Sequence, residues 1–246
     1  RMLSTANDDE RYFLDKTPAN ALVLPFMEKV YPDAKYIVLT RHPAAIFASY
    51  ANSFFDGDFA SAVNFNPIVS RYVPAMANFL RTTTVPHIHV KYEDLVRDPE
   101  ETLQQISTFL EVPFEPEAVN YKKKEVAGKG LGDPVGVAKH DRPVTASIHK
   151  WAPEFAADHS KFEIVAKQLA TVPEEDIATF GYDPNTLWEP MREADPTAWL
   201  PAKKKMDRFQ RQRRILRWLR RDIHHRWHGP IIVKIRKVCD VLLRGH

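Results

Sequence analysis

The chain has 246 residues, 44% of them hydrophobic and 27% charged, enough for one globular domain with an appendage. A single cysteine, Cys239, excludes an internal disulfide framework and favours a reducing, cytoplasmic compartment, and the lack of any apolar run of about 18 residues excludes a transmembrane helix. The net charge of +3 hides a division: residues 203–246 hold 15 Lys+Arg against Asp207, Asp222 and Asp240, a net +12, which leaves −9 for residues 1–202 and predicts different partners for the two parts.

The chain opens Arg1-Met2-Leu3 without a signal-peptide pattern, which allows a native start upstream. After Lys16-Thr17-Pro18, Asn20 is placed to cap a helix reaching Tyr31, with Pro25 within its first turn or so and Pro32-Asp33 ending it. Residues 35–40 read as an apolar strand. A helix follows from Pro43 to about Phe55, then an Asp56-Gly57-Asp58 turn and a long helix over 66–82 with Ile68, Tyr72, Ala75 and Phe79 at helical spacing. Residues 87–91 form a second strand. Asp98-Pro99-Glu100-Glu101 has the cap, first-turn proline and acids of a helix start. Residues 122–146 are glycine-rich and irregular, Ser147 is placed to cap the next helix, Pro153 to Val172 continues helical, and Gly181 closes a short helix from Glu174 to Phe180. Alternating strands and helices give an α/β layer fold.

The richest stretch is Lys35-Tyr36-Ile37-Val38-Leu39-Thr40-Arg41-His42-Pro43, continuing through Ser49. A strand that stops at an arginine and turns into a proline-started helix leaves amide N–H groups and the positive end of the helix dipole at the sheet's carboxyl edge, where a phosphate can sit. Arg41 adds a forked donor, and Ser49, about two turns beyond His42, returns to the face on which the turn opens. The structural alternatives are a helix-start ion pair for Arg41 and a small packing residue for Ser49.

This arginine and serine, together with Val90-Lys91-Tyr92-Glu93-Asp94-Leu95 and Asp15-Lys16-Thr17-Pro18, resemble three motifs of the sulfotransferases that use 3′-phosphoadenosine 5′-phosphosulfate (PAPS). The resemblance covers about residues 11–151. It implies a P-loop-like three-layer fold with a short parallel sheet over residues 1–200; the charge and apolar spacing beyond it give a basic amphipathic helical tail over 201–246. It implies PAPS as sulfuryl donor, released as the 3′,5′-bisphosphate PAP, and a hydroxyl or amine acceptor on a small molecule, lipid or glycan. Within it, Arg41 and Ser49 hold the 3′-phosphate and Tyr92 touches the adenine; Glu93 and Asp94 read, from their own position, as caps for the following turn rather than catalytic acids. Lys129 and Gly130, in Gly128-Lys129-Gly130-Leu131-Gly132, belong to a segment that closes over the cofactor. Lys16 is the catalytic cation near the sulfuryl group and Asp15 the candidate base; Pro18 stands where the histidine base of a related pattern would fall, so His87, His89, His140 and His149 stay open as alternatives. No Pro-Arg/Lys-Ser-Gly-Thr-Thr-like 5′-phosphosulfate loop and no G-x-x-x-x-G-K-[ST] occurs in the sequence, so the residues are expected to be the C-terminal portion of a larger enzyme, the fragment alone inactive.

From Lys203 to Trp227 the tail places Phe209, Leu216, Leu219, Ile223 and Trp227 at helical spacing among arginines. That pattern suits packing on the body of the protein or a second subunit, an anionic membrane surface or an acidic partner; nothing in it resembles a groove-reading module, so nucleic acid is not expected. The missing Walker lysine disfavours a P-loop kinase. The alternative from another class is a non-catalytic nucleotide- or partner-binding protein that keeps half the fold and docks through its tail.

Overall fold

The computed structural model describes residues 13–120 and 141–199, with Pro230, Ile231 and Lys234. The chain divides into two compact units, Arg1–Trp199 and Leu200–His246; the first is described below, and the tail helices expected over 203–246 lie almost wholly outside the described residues.

A 3-10 turn over Pro18–Leu22 precedes α1, Leu24–Val30. The single helix expected from Asn20 is broken here for a local reason. Pro25 has no N–H for the carbonyl of Ala21, so the chain restarts at Leu24, and the Asn20 amide donates to Asp15 Oδ2 at 3.1 Å instead of capping. Strand β1, Tyr36–Thr40, follows with alternating burial: Tyr36, Val38 and Thr40 turn inward while Ile37 and Leu39 stay 38% and 49% exposed. Helix α2, Pro43–Phe54, ends in a turn whose Asp56 and Gly57 take positive φ. Asp58 then accepts from the Ser61 N–H at 2.9 Å and starts α3, Phe59–Phe65, an element absent from the sequence expectation, which passed over this aspartate as part of the turn. Next come α4, Ile68–Thr82, and β2, His87–Lys91.

The two strands pair in parallel, Tyr36 opposite His87 through Thr40 opposite Lys91, and α2 to α4 form the crossover that a parallel pair requires. Helices α5, Tyr92–Arg97, and α6, Pro99–Leu110, follow directly. The first residue of α6 is the expected proline, although Asp98 makes no side-chain cap bond. Beyond residue 140 come α7, Trp151–Ala157, α8, His159–Leu169, α9, Glu174–Thr179, and α10, Glu189–Arg192. The continuous helix expected over 153–172 is interrupted at Asp158, whose carboxylate accepts from Ser160 Oγ at 2.6 Å and from the Lys161 N–H at 3.4 Å; such local bonds let aspartate end one helix and begin another.

The main core joins α2, α3, α4, α7, α8 and α9 around Phe47, Phe59, Val73, Trp151, Phe155 and Phe180. Phe47 is fully buried, worth about 2–3 kcal/mol of transfer free energy. A smaller cluster of Leu24, Tyr36, Val38 and Phe79 lies under β1. Charge also ties the helices: Glu154, 4% exposed, accepts from Lys161 Nζ at 2.8 Å and Asn52 Nδ2 at 2.7 Å, linking α7, α8 and α2. Arg81 of α4 reaches Asp176, Glu175 and Thr179 of α9.

Candidate functional site

The site is the turn from β1 into α2. Its strand end is fixed by Thr40, 1% exposed, whose hydroxyl donates to the Phe180 carbonyl at 3.2 Å and lies 2.8 Å from His89 Nε2. Burial, then the nearby Lys91 charge, lowers the His89 pKa.

Arg41 follows. Its Nη2 donates to the Ser147 carbonyl at 2.8 Å, and its guanidinium carbon lies 4.2 Å from the centre of the Tyr92 ring, a cation–π distance. The Nε of Arg41 is buried and has no hydrogen-bond partner among the described residues. Tyr92 is itself held: the single proton of Ser147 Oγ goes to the Val144 carbonyl at 2.7 Å, so the Tyr92 hydroxyl donates to Ser147 Oγ at 2.7 Å. Ser147 therefore grips the arginine and its aromatic platform rather than capping α7, whose start has no side-chain cap.

His42 is 7% exposed. Its Nδ1 accepts the Ala44 N–H at 3.2 Å, which leaves Nε2 to donate to the Leu187 carbonyl at 3.0 Å. Trp151 stacks on the ring at 4.5 Å and Tyr182 meets it edge-on. Burial lowers its pKa to about 4, so the imidazole is neutral at pH 7. The Trp151 Nε1, buried beside it, also lacks a partner among the described residues.

Beneath the turn sits Glu93, 4% exposed. One carboxylate oxygen accepts the His42 backbone N–H at 3.0 Å, the other accepts the Tyr182 hydroxyl at 2.5 Å. Burial first, and then this bond, push the Tyr182 phenol well above its usual range. This overturns one expectation. Glu93 does not cap the helix that follows it but the one opened by Pro43. Two of the amides at the start of α2 are already engaged: His42 N–H goes to Glu93 and Ala44 N–H to His42, while Pro43 has none.

Ser49 is exposed on α2 and is not hydrogen bonded to Arg41. In the Lys16 turn both Asp15 and Lys16 are exposed, and the Asp15 carboxylate accepts from Thr17 Oγ1 at 2.9 Å and from Asn20. Lys129, Gly130 and His140 lie outside the described residues. The structure thus brings Arg41 and Tyr92 together and adds Ser147, Glu93 and Tyr182, which sequence reasoning missed as partners; only the position of Glu93 beside Tyr92 offered a signal. Among the described residues no three His, Cys, Asp or Glu side chains gather as a metal site, and no helix is long and apolar enough to cross a membrane.

Residues 2–116 match the sulfotransferase family. A Caenorhabditis elegans protein named "Putative protein-tyrosine sulfotransferase" is 26% identical over 179 residues, 69% of this chain and 64% of that protein; the chain thus spans under two-thirds of the length of the curated relative it matches. Two solved structures are also similar: the sulfotransferase domain from the curacin biosynthetic pathway, at 25% identity and TM-score 0.47 over 66% of this chain and 63% of that one, and the sulfotransferase domain from the Synechococcus PCC 7002 olefin synthase, at 27% and 0.48 over 67% and 61%.

Proposed function

We propose that this chain, whose residues 2–116 match the sulfotransferase family, transfers a sulfuryl group from PAPS to an acceptor hydroxyl or amine, with the β1–α2 turn as the cofactor's 3′-phosphate site. One observation carries this: Arg41 keeps a buried Nε without a partner among the described residues while Tyr92 and Ser147 fix the rest of its guanidinium. A buried donor left open costs about 1–3 kcal/mol, a cost that an incoming phosphate oxygen removes. The donor set therefore fits an anion such as the 3′-phosphate. PAPS, when bound, supplies the activated sulfuryl group.

The protein's own work is positioning and charge stabilisation. Arg41 supplies charge-assisted bonds to the phosphate, Ser49 an exposed hydroxyl about two turns along α2, and Tyr92 an aromatic surface for the adenine, its polar end already engaged by Ser147. Lys129 and Gly130 would close over the nucleotide. Lys16 is the cation for the leaving phosphate oxygen, and Asp15 takes the acceptor's proton; its two existing bonds leave lone pairs for that role. Candidate acceptors are hydroxyls of small molecules, lipids or glycans, and the name of the Caenorhabditis elegans relative adds a tyrosine hydroxyl to those worth assaying. The single Cys239 supports a reducing, cytoplasmic setting, and the basic pattern of 203–246 supports contact with a membrane surface or a second subunit. No observation favours the non-catalytic alternative.

The test is PAP binding by titration calorimetry. Arg41→Ala should weaken it about 10–100-fold, the range of a lost charged hydrogen bond, and Ser49→Ala by less. Unchanged affinity in both variants refutes the assignment.

A further inference from the structure

We propose that Glu93 is a positioning residue for Arg41, holding the β1–α2 turn through a buried carboxylate clamp completed by Tyr182. The inference rests on the reading of Arg41 as a phosphate ligand and adds to it the device that aims the guanidinium.

Adjacent residues of one element act on both sides of Arg41. The Tyr92 ring faces its guanidinium at 4.2 Å, while Glu93 takes the N–H of the peptide that links Arg41 to His42 at 3.0 Å. Side chain and backbone of residue 41 are thereby referred to the same turn of α5. The second carboxylate oxygen is held by Tyr182 at 2.5 Å, from a segment 89 residues farther along, so the carboxylate cannot swing without losing a bond to one side. Its place at the start of α2 matches the helix dipole, and it engages the His42 amide there. The clamp thus fixes the direction in which the turn presents the Arg41 guanidinium. A plain helix cap would add stability and nothing more; a positioning residue changes affinity through Arg41.

That difference sets the experiment. PAP affinity of the full protein is measured by calorimetry for wild type, Tyr182→Phe, Glu93→Gln, Arg41→Ala and Arg41→Ala/Tyr182→Phe, with the core variant Val165→Ala as a stability control. Tyr182→Phe and Glu93→Gln should each weaken PAP about 3–10-fold, a coupling typical of groups in one network. In the Arg41→Ala background, Tyr182→Phe should have almost no further effect. Val165→Ala, at a fully buried site, should lower the melting temperature and leave affinity unchanged. Wild-type affinity in the two clamp variants, or a full loss from Tyr182→Phe that persists without Arg41, overturns the proposal. If Arg41→Ala itself binds PAP normally, the phosphate reading fails first and the clamp with it. Should Glu93→Gln not fold, Tyr182→Phe, which removes one oxygen from an intact ring, carries the test.

Discussion

Acidification should loosen the β1–α2 turn before it unfolds the rest of the protein, and His42 sets the size of the effect. Its imidazole is buried, accepts the Ala44 N–H on Nδ1 and donates to Leu187 through Nε2, an arrangement that only the neutral ring can make. Burial lowers its pKa from the usual 6.5 to about 4. The unfolded chain therefore binds more protons than the folded one between those values, and stability falls as pH falls through that window. At about 1.4 kcal/mol per pH unit the full contribution is about 3 kcal/mol, present above pH 6.5 and lost by pH 4. Urea denaturation at half-unit steps from pH 7.5 to 4 should show the decline. His89, whose pKa is also lowered, acts in the same direction, so the comparison is with His42→Gln, which keeps an N–H for Leu187 and cannot titrate. The difference between the two curves should shrink by about 3 kcal/mol across the window. Parallel curves, or a His42 nuclear magnetic resonance titration midpoint near 6.5, would refute the reasoning.

Lys161→Ala leaves the buried Glu154 with Asn52 as its one side-chain donor among the described residues and should destabilise the protein by about 3 kcal/mol, the range for breaking one partner of a buried pair; Glu154→Gln in the same background should restore part of this in urea denaturation. Gly181 sits at φ +89°, and an added Cβ would meet Lys91 Cδ at 2.9 Å. Gly181→Ala should therefore cost about 1–2 kcal/mol from the left-handed backbone. Shortening Lys91 to Ala should relieve only the contact, so a full thermal-melt recovery in the double variant would contradict a backbone origin.

The parts of the molecule legible in the sequence are those governed by near neighbours. Both strands, α2, the 68–82 helix and α9 followed apolar spacing, proline at the first helical position and glycine after the last turn. Errors arose where one side chain outcompeted a pattern, as with Pro25 breaking a helix and with Asp58 and Asp158 starting new ones. Arg41 and Tyr92 stood out from their motifs, yet their relation did not, because it depends on Ser147. Glu93 had the signature of a local cap; its true partners, the His42 amide and the Tyr182 hydroxyl, lie 51 and 89 residues away, beyond the reach of any periodicity.

That distance has a kinetic side. The ties at the end of β1 span 106 residues from Arg41 to Ser147, 140 from Thr40 to Phe180 and 145 from His42 to Leu187. Each such closure demands that more than a hundred residues of the polypeptide be gathered first, and the loop entropy is recovered only when the last of them snaps shut. The ties that set the geometry of this turn are therefore expected late on the folding route, and a nascent chain that has not yet emerged past Leu187 can hold β1 and α2 before the turn is fixed.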